Sequence, residues 1–305
     1  MKIAVIGTGA MGSIYAARFA KAGHDVTAVD TWVDHIDAIS QHGLRVDGPD
    51  GQILAKMTVA TSAKDLPPQD LYVIATKGSG VAASAIAIAP DLPQTAMVVT
   101  IQNGLGAGER LAAALPEKQI YLGVAEGFGA SMKGPGHATH TAMKQIRIGH
   151  IHGGASRQLS LLADIWSQAG FHATAYEDIE QLIWEKFLCN VTLSGPCTIF
   201  GCDVAQLRAN PQWWQIALGC MHEAWELGKA RHVAFSFVDP VAYVTAFAER
   251  VGTAKPSMLQ DHELGRKSEI DAINGAVSRL GEQAGMATPY NSTLTAILQQ
   301  RESRF

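Results

Sequence analysis

Short apolar runs alternate with helical patterns over the first half of the chain. Continuous apolar runs predict buried strands, and apolar residues spaced three and four apart predict helices between several of them. The predicted strands are KIAVIG, DVTAVD, LYVIAT, MVVTIQ, IYLGVA and KQIRIG. The predicted helices cover residues 11–22, 33–42, 81–89 and 108–115. This alternation indicates a parallel sheet covered by helices on both faces.

The pattern changes twice further along the chain. In GASMKGPGHATHTAMKQIRIGH, two extended stretches flank a Gly-Pro-Gly turn, which predicts an antiparallel hairpin at the far edge of the sheet. A helix over 156–169 and a strand in HATAYED follow. From about residue 177 onward, the apolar spacing is almost wholly helical, as in RKSEIDAINGAVSRLGEQAG. We therefore predict an α/β domain over 1–176, an all-helical domain over 177–305, and a ligand cleft between them.

Composition and charge exclude several classes of function. Apolar residues make up 47% of the chain and charged residues 17%, which is typical of a chain with a large core. The net charge of −4 and the absence of a Lys/Arg run argue against nucleic acid or an anionic membrane as partner. The first apolar run is too short for a signal peptide, so we expect a cytoplasmic protein. The four cysteines have no metal-binding spacing, and we expect reduced thiols and no metal site.

A glycine motif follows the first predicted strand. Gly7, Gly9 and Gly12 form G-x-G-x-x-G at the start of a predicted helix. The first glycine allows the tight turn, the second lets a pyrophosphate approach the backbone, and the third lets helix and strand pack closely. The N–H groups at the helix start favour an anion. The motif predicts a Rossmann-type doubly wound sheet that binds a dinucleotide through the loop Gly7, Thr8, Gly9, Ala10, Met11 and Gly12.

Asp30 ends the second predicted strand, 18 residues after Gly12. A carboxylate at this position can accept hydrogen bonds from the adenosine ribose and would repel a 2′-phosphate. No Arg or Lys follows in DTWVDHID, so the residues favour NAD(H) over NADP(H). A purely structural role for Asp30, as a cap of the next helix, remains an alternative.

Polar residues follow the next two predicted strands. Lys77 comes after LYVIAT and Asn103 after MVVTIQ. The carboxyl ends of strands line the ligand crevice of an open α/β sheet, so both residues are candidates for contact with the nicotinamide end of the cofactor. The alternatives are a solvated surface lysine and a turn asparagine.

The helical half contains a second group of candidates. Lys186, Asn190 and Ser194 are spaced four residues apart, which puts them on one face of an apolar helix. A partly buried lysine has a lowered pKa and suits proton transfer, although a lysine that reaches solvent is the alternative. Ser257 precedes a predicted helix, and Glu269 is a candidate partner for Lys186 or for substrate hydroxyls, or else an exposed acid. Trp213 and Trp214 are compatible with core packing or with a homodimer.

Two groups of stretches identify a resemblance to a known family. The first group is GTGAMGS, TKGSG and QNGLG, and the second is KGPGHATHT with IRIG, WEKFLCN and PSMLQDHELGRKSEIDAINGAV. The chain resembles ketopantoate reductases (2-dehydropantoate 2-reductases) over essentially its full length. The resemblance implies a 2-oxo acid substrate, reduced by hydride from NAD(P)H, with NADP(H) as the usual cofactor of the family. It implies that Lys186 is the general acid and that Glu269 positions Lys186 or the substrate. Asn103 would hold the nicotinamide ribose and the substrate, Asn190 and Ser257 would contact the substrate, and Lys77 would contact the cofactor. Ser194 is a candidate substrate contact from its place on the same helix face as Lys186 and Asn190.

Three departures from the family pattern leave the substrate open. Gly80 replaces a usual glutamine, Ser194 and Val204 stand where polar substrate contacts are usual, and Asp30 replaces a basic residue of the NADP-dependent members. A site that loses hydroxyl-recognising groups discriminates less between substrates. The alternatives are therefore an NAD-dependent D-2-hydroxy acid dehydrogenase for another branched or aromatic acid, and a non-catalytic nucleotide-sensing protein.

Overall fold

The computed structural model describes all residues from 1 to 305. The chain forms two compact units. The first contains Met1–Gln102 and Ala107–Ile179, and the second contains Asn103–Gly106 and Glu180–Phe305. The tetrapeptide Asn103–Gly106 thus belongs to the second unit, although it follows a strand of the first. The boundary predicted at residue 176, and the role assigned to each part, stay predictions.

The first unit is built on an eight-stranded sheet. Six of its strands are mutually parallel, namely β1 (Lys2–Ile6), β2 (Asp25–Val29), β5 (Thr58–Ala60), β6 (Leu71–Ile74), β7 (Met97–Thr100) and β8 (Ile120–Glu126). The other two are β11 (Gln145–His150), antiparallel to β8, and β12 (Ala173–Ala175), parallel to β11. The strand order is β12-β11-β8-β7-β6-β1-β2-β5. From β1 the chain adds strands toward one edge of the sheet, and from β6 it adds strands toward the other edge, so the order of strand addition reverses between β1 and β6. This reversal is the usual ligand position of a doubly wound sheet.

Helices cover both faces of this sheet. The helices of the unit are α1 (Ala10–Lys21), α2 (Val33–His42), α3 (Val81–Ile88), α4 (Ala107–Ala112) and α5 (Arg157–Gln168). Alternate residues of β1 enter different cores: Ile3 and Val5 pack with residues of α1 and α5, whereas Ala4 and Ile6 pack with residues of α3 and α4. The predicted α/β class with a Rossmann-type doubly wound sheet is confirmed.

A second sheet corrects the predicted position of the hairpin. The hairpin exists as β9 (Gly129–Gly134) and β10 (His137–Ala142), which pair antiparallel. It does not extend the main sheet, because β10 pairs with β3 (Leu44–Gly48), and β3 pairs with β4 (Gly51–Ala55), in a separate four-stranded sheet of order β4-β3-β10-β9. The strands β3 and β4 were not predicted, and their pairing gives the hairpin a partner far away in the sequence.

The second unit is helical, as predicted. Its helices are α6 (Ile179–Phe200), α7 (Val204–Ala209), α8 (Pro211–Ala230), α9 (Pro240–Val251), α10 (Ser257–Glu263), α11 (Asn274–Gln283) and α12 (Pro289–Glu302). Within the unit, the main apolar core joins buried residues of α6, α8, α11 and α12. No helix of the protein is both long and apolar enough to cross a membrane. The four cysteines are free and buried, and burial raises the pKa of the Cys189 thiol to about 12.

The helix predicted to begin near residue 266 begins later. A 3₁₀ turn covers Ile270–Ala272, and α11 starts only at Asn274. The Ala272 carbonyl accepts a hydrogen bond from the Leu105 N–H at 2.9 Å. This carbonyl therefore takes part in a long-range hydrogen bond and not in the hydrogen bonding of a regular helix. Tertiary hydrogen bonding thus overrides the local helical pattern.

Candidate active site

The glycine loop has the geometry that its sequence predicts. Gly7 adopts a φ of +90°, and a Cβ there would lie 2.6 Å from the Thr76 backbone nitrogen. A Cβ on Gly12 would collide with the Gly7 carbonyl. At Gly9, by contrast, a Cβ would meet no atom within 4 Å, so the space above this residue is open. Gly7 and Gly12 therefore close the turn, and Gly9 leaves room for a ligand group.

The start of α1 lies directly behind this open space. Its N-cap, Gly9, has no side chain to accept from the first N–H groups of the helix, which include those of Ala10 and Met11. The Thr8 hydroxyl is fully buried and has no hydrogen-bond partner, while the Thr8 carbonyl accepts from Ser13 Oγ at 2.6 Å. A helix start with unpaired donors favours an anion. These residues fit the pyrophosphate of a dinucleotide.

Asp30 lies half-buried at the carboxyl end of β2, at the same edge of the sheet. Its Oδ1 accepts from the Trp32 N–H at 3.0 Å, so the carboxylate is held by the turn that precedes α2. The N-cap of α2 is Trp32, and no side chain caps this helix. Asp30 therefore orders the turn rather than the helix itself, and it directly follows Val29, whose carbonyl accepts from the N–H groups of Gly7 and Thr8 in the glycine loop.

Two aromatic residues after Asp30 were not identified from the sequence. Trp32 is 38% exposed, and its ring stacks on the His35 ring, with centroids 5.1 Å apart and planes at 13°. His35 is buried, and its Nδ1 accepts from the Gly136 N–H at 2.9 Å. Burial lowers the pKa of His35 below its usual range. The sequence pattern that indicates these residues is DTWVDH, in which aromatic residues follow the acid predicted to bind the ribose.

The loop after β6 places Thr76 next to Gly7 and continues with Lys77. Lys77 is exposed and is the N-cap of a short 3₁₀ turn over Gly78–Gly80. Gln102, which follows β7, donates to the Thr76 carbonyl at 2.6 Å, and the Thr76 hydroxyl is buried without a partner. A Cβ on Gly80 would lie 2.9 Å from the Thr76 side chain. This crowding is a physical reason for glycine at position 80.

Lys186, Asn190 and Ser194 follow one another at four-residue spacing along α6. Lys186 and Asn190 are half-buried and Ser194 is 5% exposed. On the same helix, Glu185 is buried and accepts from the Ser236 N–H at 2.7 Å and from Gln181 Nε2 at 3.1 Å. The predicted row of polar groups therefore lies on a helix that is otherwise packed in the core.

Asn103 and Glu269 meet although they are 166 positions apart in the sequence. The Asn103 Nδ2 donates to Glu269 Oε2 at 3.1 Å. Gly104 makes this approach feasible, because it has a φ of +80° and a Cβ there would collide with the Ala272 carbonyl. The N–H of Leu105 then bonds to the same carbonyl at 2.9 Å. The QNGLG turn thus docks on the segment that carries Glu269.

One apolar core anchors five of the six candidate residues of the second unit. These five have a sequence neighbour within two residues in the main core: Leu105 for Asn103, Phe187 for Lys186, Val191 for Asn190, Met258 for Ser257 and Ile270 for Glu269. Ser194 instead adjoins Leu193, which belongs to a smaller core. Ser257 is the first residue of α10. Val204 differs from these, because its own side chain is 1% exposed and belongs to a smaller core with Leu193 and Cys197. Val204 therefore acts as a packing residue in α7.

Comparison with known proteins covers both halves of the chain. The model of the family described as "Ketopantoate reductase PanE/ApbA" matches residues 3–153, and its C-terminal counterpart matches residues 178–302. The 2-dehydropantoate 2-reductase of Mesorhizobium japonicum is 30% identical, over 98% of this chain and 97% of that protein.

Solved structures of the same fold include a complex of a dehydrogenase and the structure of a reductase. A ternary complex of D-mandelate dehydrogenase with NADH and anilino(oxo)acetate has a TM-score of 0.91 and 27% identity, covering 100% of this chain and 99% of that one. A PanE/ApbA family ketopantoate reductase from Ralstonia eutropha JMP134 has a TM-score of 0.89 and 26% identity, with coverage of 100% and 99%. Fold, motifs and full-length similarity agree, and the chain belongs to the ketopantoate reductase family.

Proposed function

We propose that this protein reduces a 2-oxo acid to the 2-hydroxy acid with NAD(P)H, and that ketopantoate is the first substrate to test. The overall reaction consumes one 2-oxo acid, one reduced nicotinamide and one proton. The observation that carries the proposal is the single core that anchors Asn103, Lys186, Asn190, Ser257 and Glu269 in one unit. Rigid anchoring of several polar groups is what an active site requires.

Lys186 is the general acid of the proposed reaction. The carbonyl oxygen gains negative charge when the carbonyl carbon is reduced, and an ammonium group stabilises that charge and donates the proton. When bound, a reduced nicotinamide supplies the hydride. Lys186 lies on a well-packed helix, which restricts the positions that its side chain can adopt.

The amides and Glu269 orient the substrate around that proton donor. Asn103, Asn190, Ser194 and Ser257 offer hydrogen bonds to the carboxylate and hydroxyl groups of a 2-oxo acid. Glu269 accepts a hydrogen bond from the Asn103 amide and thereby fixes the orientation of that amide toward the ligand. Glu269 positions Asn103 in this way and stays a candidate to position Lys186 or the substrate.

The glycine loop holds the dinucleotide, and Asp30 favours NADH. The N–H groups at the start of α1 fit the pyrophosphate, and Lys77 and Asn103 are proposed to contact the nicotinamide half. The Asp30 carboxylate would accept from the ribose hydroxyls and repel the 2′-phosphate of NADPH. Relatives of known structure with NADH bound support NADH as a cofactor of this scaffold.

A second candidate is an NAD-dependent D-2-hydroxy acid dehydrogenase for a branched or aromatic acid. It is favoured by the similarity to D-mandelate dehydrogenase and by Val204, whose buried side chain offers no polar group to a substrate. A pocket with fewer hydrogen-bonding groups would accept a 2-oxo acid without the hydroxyl of ketopantoate.

A panel of substrates and cofactors tests both candidates. Purified protein is assayed with ketopantoate, 2-oxoisovalerate and phenylglyoxylate, each with NADH and with NADPH, by loss of absorbance at the reduced nicotinamide band. The first proposal predicts the highest kcat/KM for ketopantoate, and the second predicts it for one of the other acids. Absence of turnover with every pair, in a protein that binds NADH, would favour a non-catalytic nucleotide sensor.

A further inference from the structure

The C-terminal turn of α12, residues Gln299–Glu302, makes long-range hydrogen bonds that the proposed reaction does not use. Three of its side chains, Gln299, Arg301 and Glu302, each contact a different segment of the second unit. A helix end with this many specific partners fixes the geometry of the elements around it.

Glu302 is a buried carboxylate with three donors. Its Oε1 accepts from the Ser268 N–H at 2.8 Å, from the Ser268 hydroxyl and from His262 Nε2 at 3.0 Å. The side chains of Glu302 and His262 are 9% and 7% exposed. Burying a carboxylate is costly unless it is hydrogen-bonded in this way, so the three bonds hold Glu302 in one position.

Both partners of Glu302 belong to segments that carry candidate active-site residues. Ser268 directly precedes Glu269, and its hydroxyl also accepts from the Ile270 N–H at 3.3 Å. His262 is in α10, the seven-residue helix that begins at Ser257. Glu302 therefore fixes the backbone on the N-terminal side of Glu269 and the far end of the helix that starts at Ser257.

Arg301 and Gln299 extend the same arrangement. Arg301 donates from Nη1 to the Thr198 carbonyl at 3.0 Å and from Nη2 to the Ile199 carbonyl at 3.2 Å. These are among the last carbonyls of α6, where a cation is also favoured by the helix dipole. Gln299 Nε2 donates to Asp271 Oδ1 at 2.7 Å, two residues after Glu269. The turn thus contacts α6, α10 and the Glu269 segment together.

We propose that the C-terminal turn of α12 is a positioning element of the active site, with Glu302 as its central positioning residue. Glu302 acts through Ser268 on Glu269, which in turn holds Asn103. This inference rests on the proposed function, because it assigns catalytic relevance to the segments that Glu302 holds. Small displacements of catalytic groups have large effects on rate, on the order of 10²-fold for about 1 Å.

The test compares Glu302→Ala with Glu302→Gln. All three hydrogen bonds reach the same carboxylate oxygen, so the single carbonyl oxygen of glutamine can replace it. Ser268→Ala is a milder second variant that still leaves Glu302 in place, and Glu282→Gln, on the exposed face of α11, is the matched control. We measure kcat and KM for the 2-oxo acid, the Kd of NADH by calorimetry, and hydrogen exchange over residues 266–273.

We expect Glu302→Ala to lower kcat/KM for the 2-oxo acid by about tenfold or more while the Kd of NADH changes less than about twofold. We expect Glu302→Gln to restore most of the activity, and Ser268→Ala to lie between the two. Exchange over 266–273 should accelerate in Glu302→Ala and not in Glu282→Gln. Wild-type kcat/KM in Glu302→Ala, or a glutamine variant as impaired as the alanine variant, would overturn the proposal.

Hydrogen exchange separates a failure of this inference from a failure of the proposed function. If the wild-type protein reduces no 2-oxo acid, the proposed function fails on its own. Unchanged exchange over 266–273 in Glu302→Ala and in Ser268→Ala removes the positioning role whatever the activity shows. If Glu302→Ala does not fold, Ser268→Ala and Glu302→Gln still decide between the two results.

Discussion

Asp30 illustrates how a single charged side chain bears on cofactor choice. Its carboxylate is fixed by the Trp32 N–H, and Trp32 in turn stacks on the buried His35. The negative charge therefore has a defined position at the edge of the sheet where the dinucleotide is proposed to bind. No Arg or Lys follows it in TWVDHID to balance the charge of a 2′-phosphate.

We expect Asp30→Asn to shift the preference toward NADPH. Asparagine keeps an oxygen for the Trp32 N–H but removes the charge that repels a 2′-phosphate. The ratio of kcat/KM for NADPH to that for NADH should rise about tenfold, which corresponds to about 1.4 kcal/mol. Asp34→Asn, at an exposed acid in the first turn of α2, should leave the ratio unchanged. An equal ratio in wild type and Asp30→Asn would show that Asp30 does not select the cofactor.

Individual residues also show what sequence could not predict. The glycine loop followed from its motif because each glycine has a local, backbone reason. The bond between Asn103 and Glu269 joins residues 166 positions apart, and neither the local pattern nor the resemblance predicts it, since both give Lys186 or the substrate as the partner of Glu269. The reason for Gly80 lies in its crowding against Thr76, which depends on the conformation of the loop after β6.

At the scale of elements, α12 is fixed at both ends by carboxylates. At its start, Thr288 makes no side-chain cap, and Glu223 of α8 takes this role. Glu223 accepts from the Tyr290 N–H at 2.7 Å, the Asn291 N–H at 2.9 Å and the Asn291 Nδ2 at 2.7 Å. An acid at a helix N-terminus is favoured by both hydrogen bonding and the dipole.

We expect Glu223→Ala to destabilise the protein by about 2 kcal/mol, because it leaves the first N–H groups of α12 without their acceptor. The free energy of unfolding is measured by urea titration followed by circular dichroism. Glu226→Ala is the control on the same helix, since its exposed ion pair with Lys229 should contribute less than about 1 kcal/mol. Equal stability of the two variants would contradict the capping role.

The elements that sequence reasoning missed are those whose partners are distant. The strands β3 and β4 are short and half-exposed. The sequence GPDG, which makes the turn from one to the other, is the only local pattern that indicates a hairpin there. The hairpin β9–β10 was predicted correctly, but its partner could not be, because β3 is about ninety residues earlier in the chain. The late start of α11 has the same origin, since the Ala272 carbonyl bonds to Leu105.

At the scale of the whole molecule, two buried histidines, His35 and His140, and the half-buried His24 link stability to pH. Burial is the largest cause that lowers the pKa of His24, His35 and His140 below the ordinary value of 6.5. The N-terminal amino group also lowers the pKa of His24, and Arg18 also lowers that of His140. Asp30 acts in the opposite direction and raises the pKa of His35, as Asp50 does for His140. In mild acid the unfolded chain therefore binds more protons than the folded one at these sites.

We expect the free energy of unfolding to fall as the pH decreases from about 7 toward 5. The stability is fully present above the ordinary histidine pKa and is lost progressively below it, because the unfolded chain then binds protons that these rings in the folded state bind only at lower pH. His140→Gln should reduce the slope of stability against pH in this range, and His222→Gln, at an exposed position of α8, should not. A flat profile between pH 7 and 5 in the wild-type protein would refute this linkage.

The central claim is that the protein reduces a 2-oxo acid with Lys186 as proton donor. The most direct measurement is the rate of NADH and NADPH oxidation with ketopantoate and the other 2-oxo acids, in wild type, Lys186→Ala and the exposed control Lys229→Ala. We predict turnover in wild type and in Lys229→Ala, and a loss on the order of 10² or more in Lys186→Ala with NADH binding retained. Absence of turnover in wild type, or near wild-type turnover in Lys186→Ala, would contradict the account.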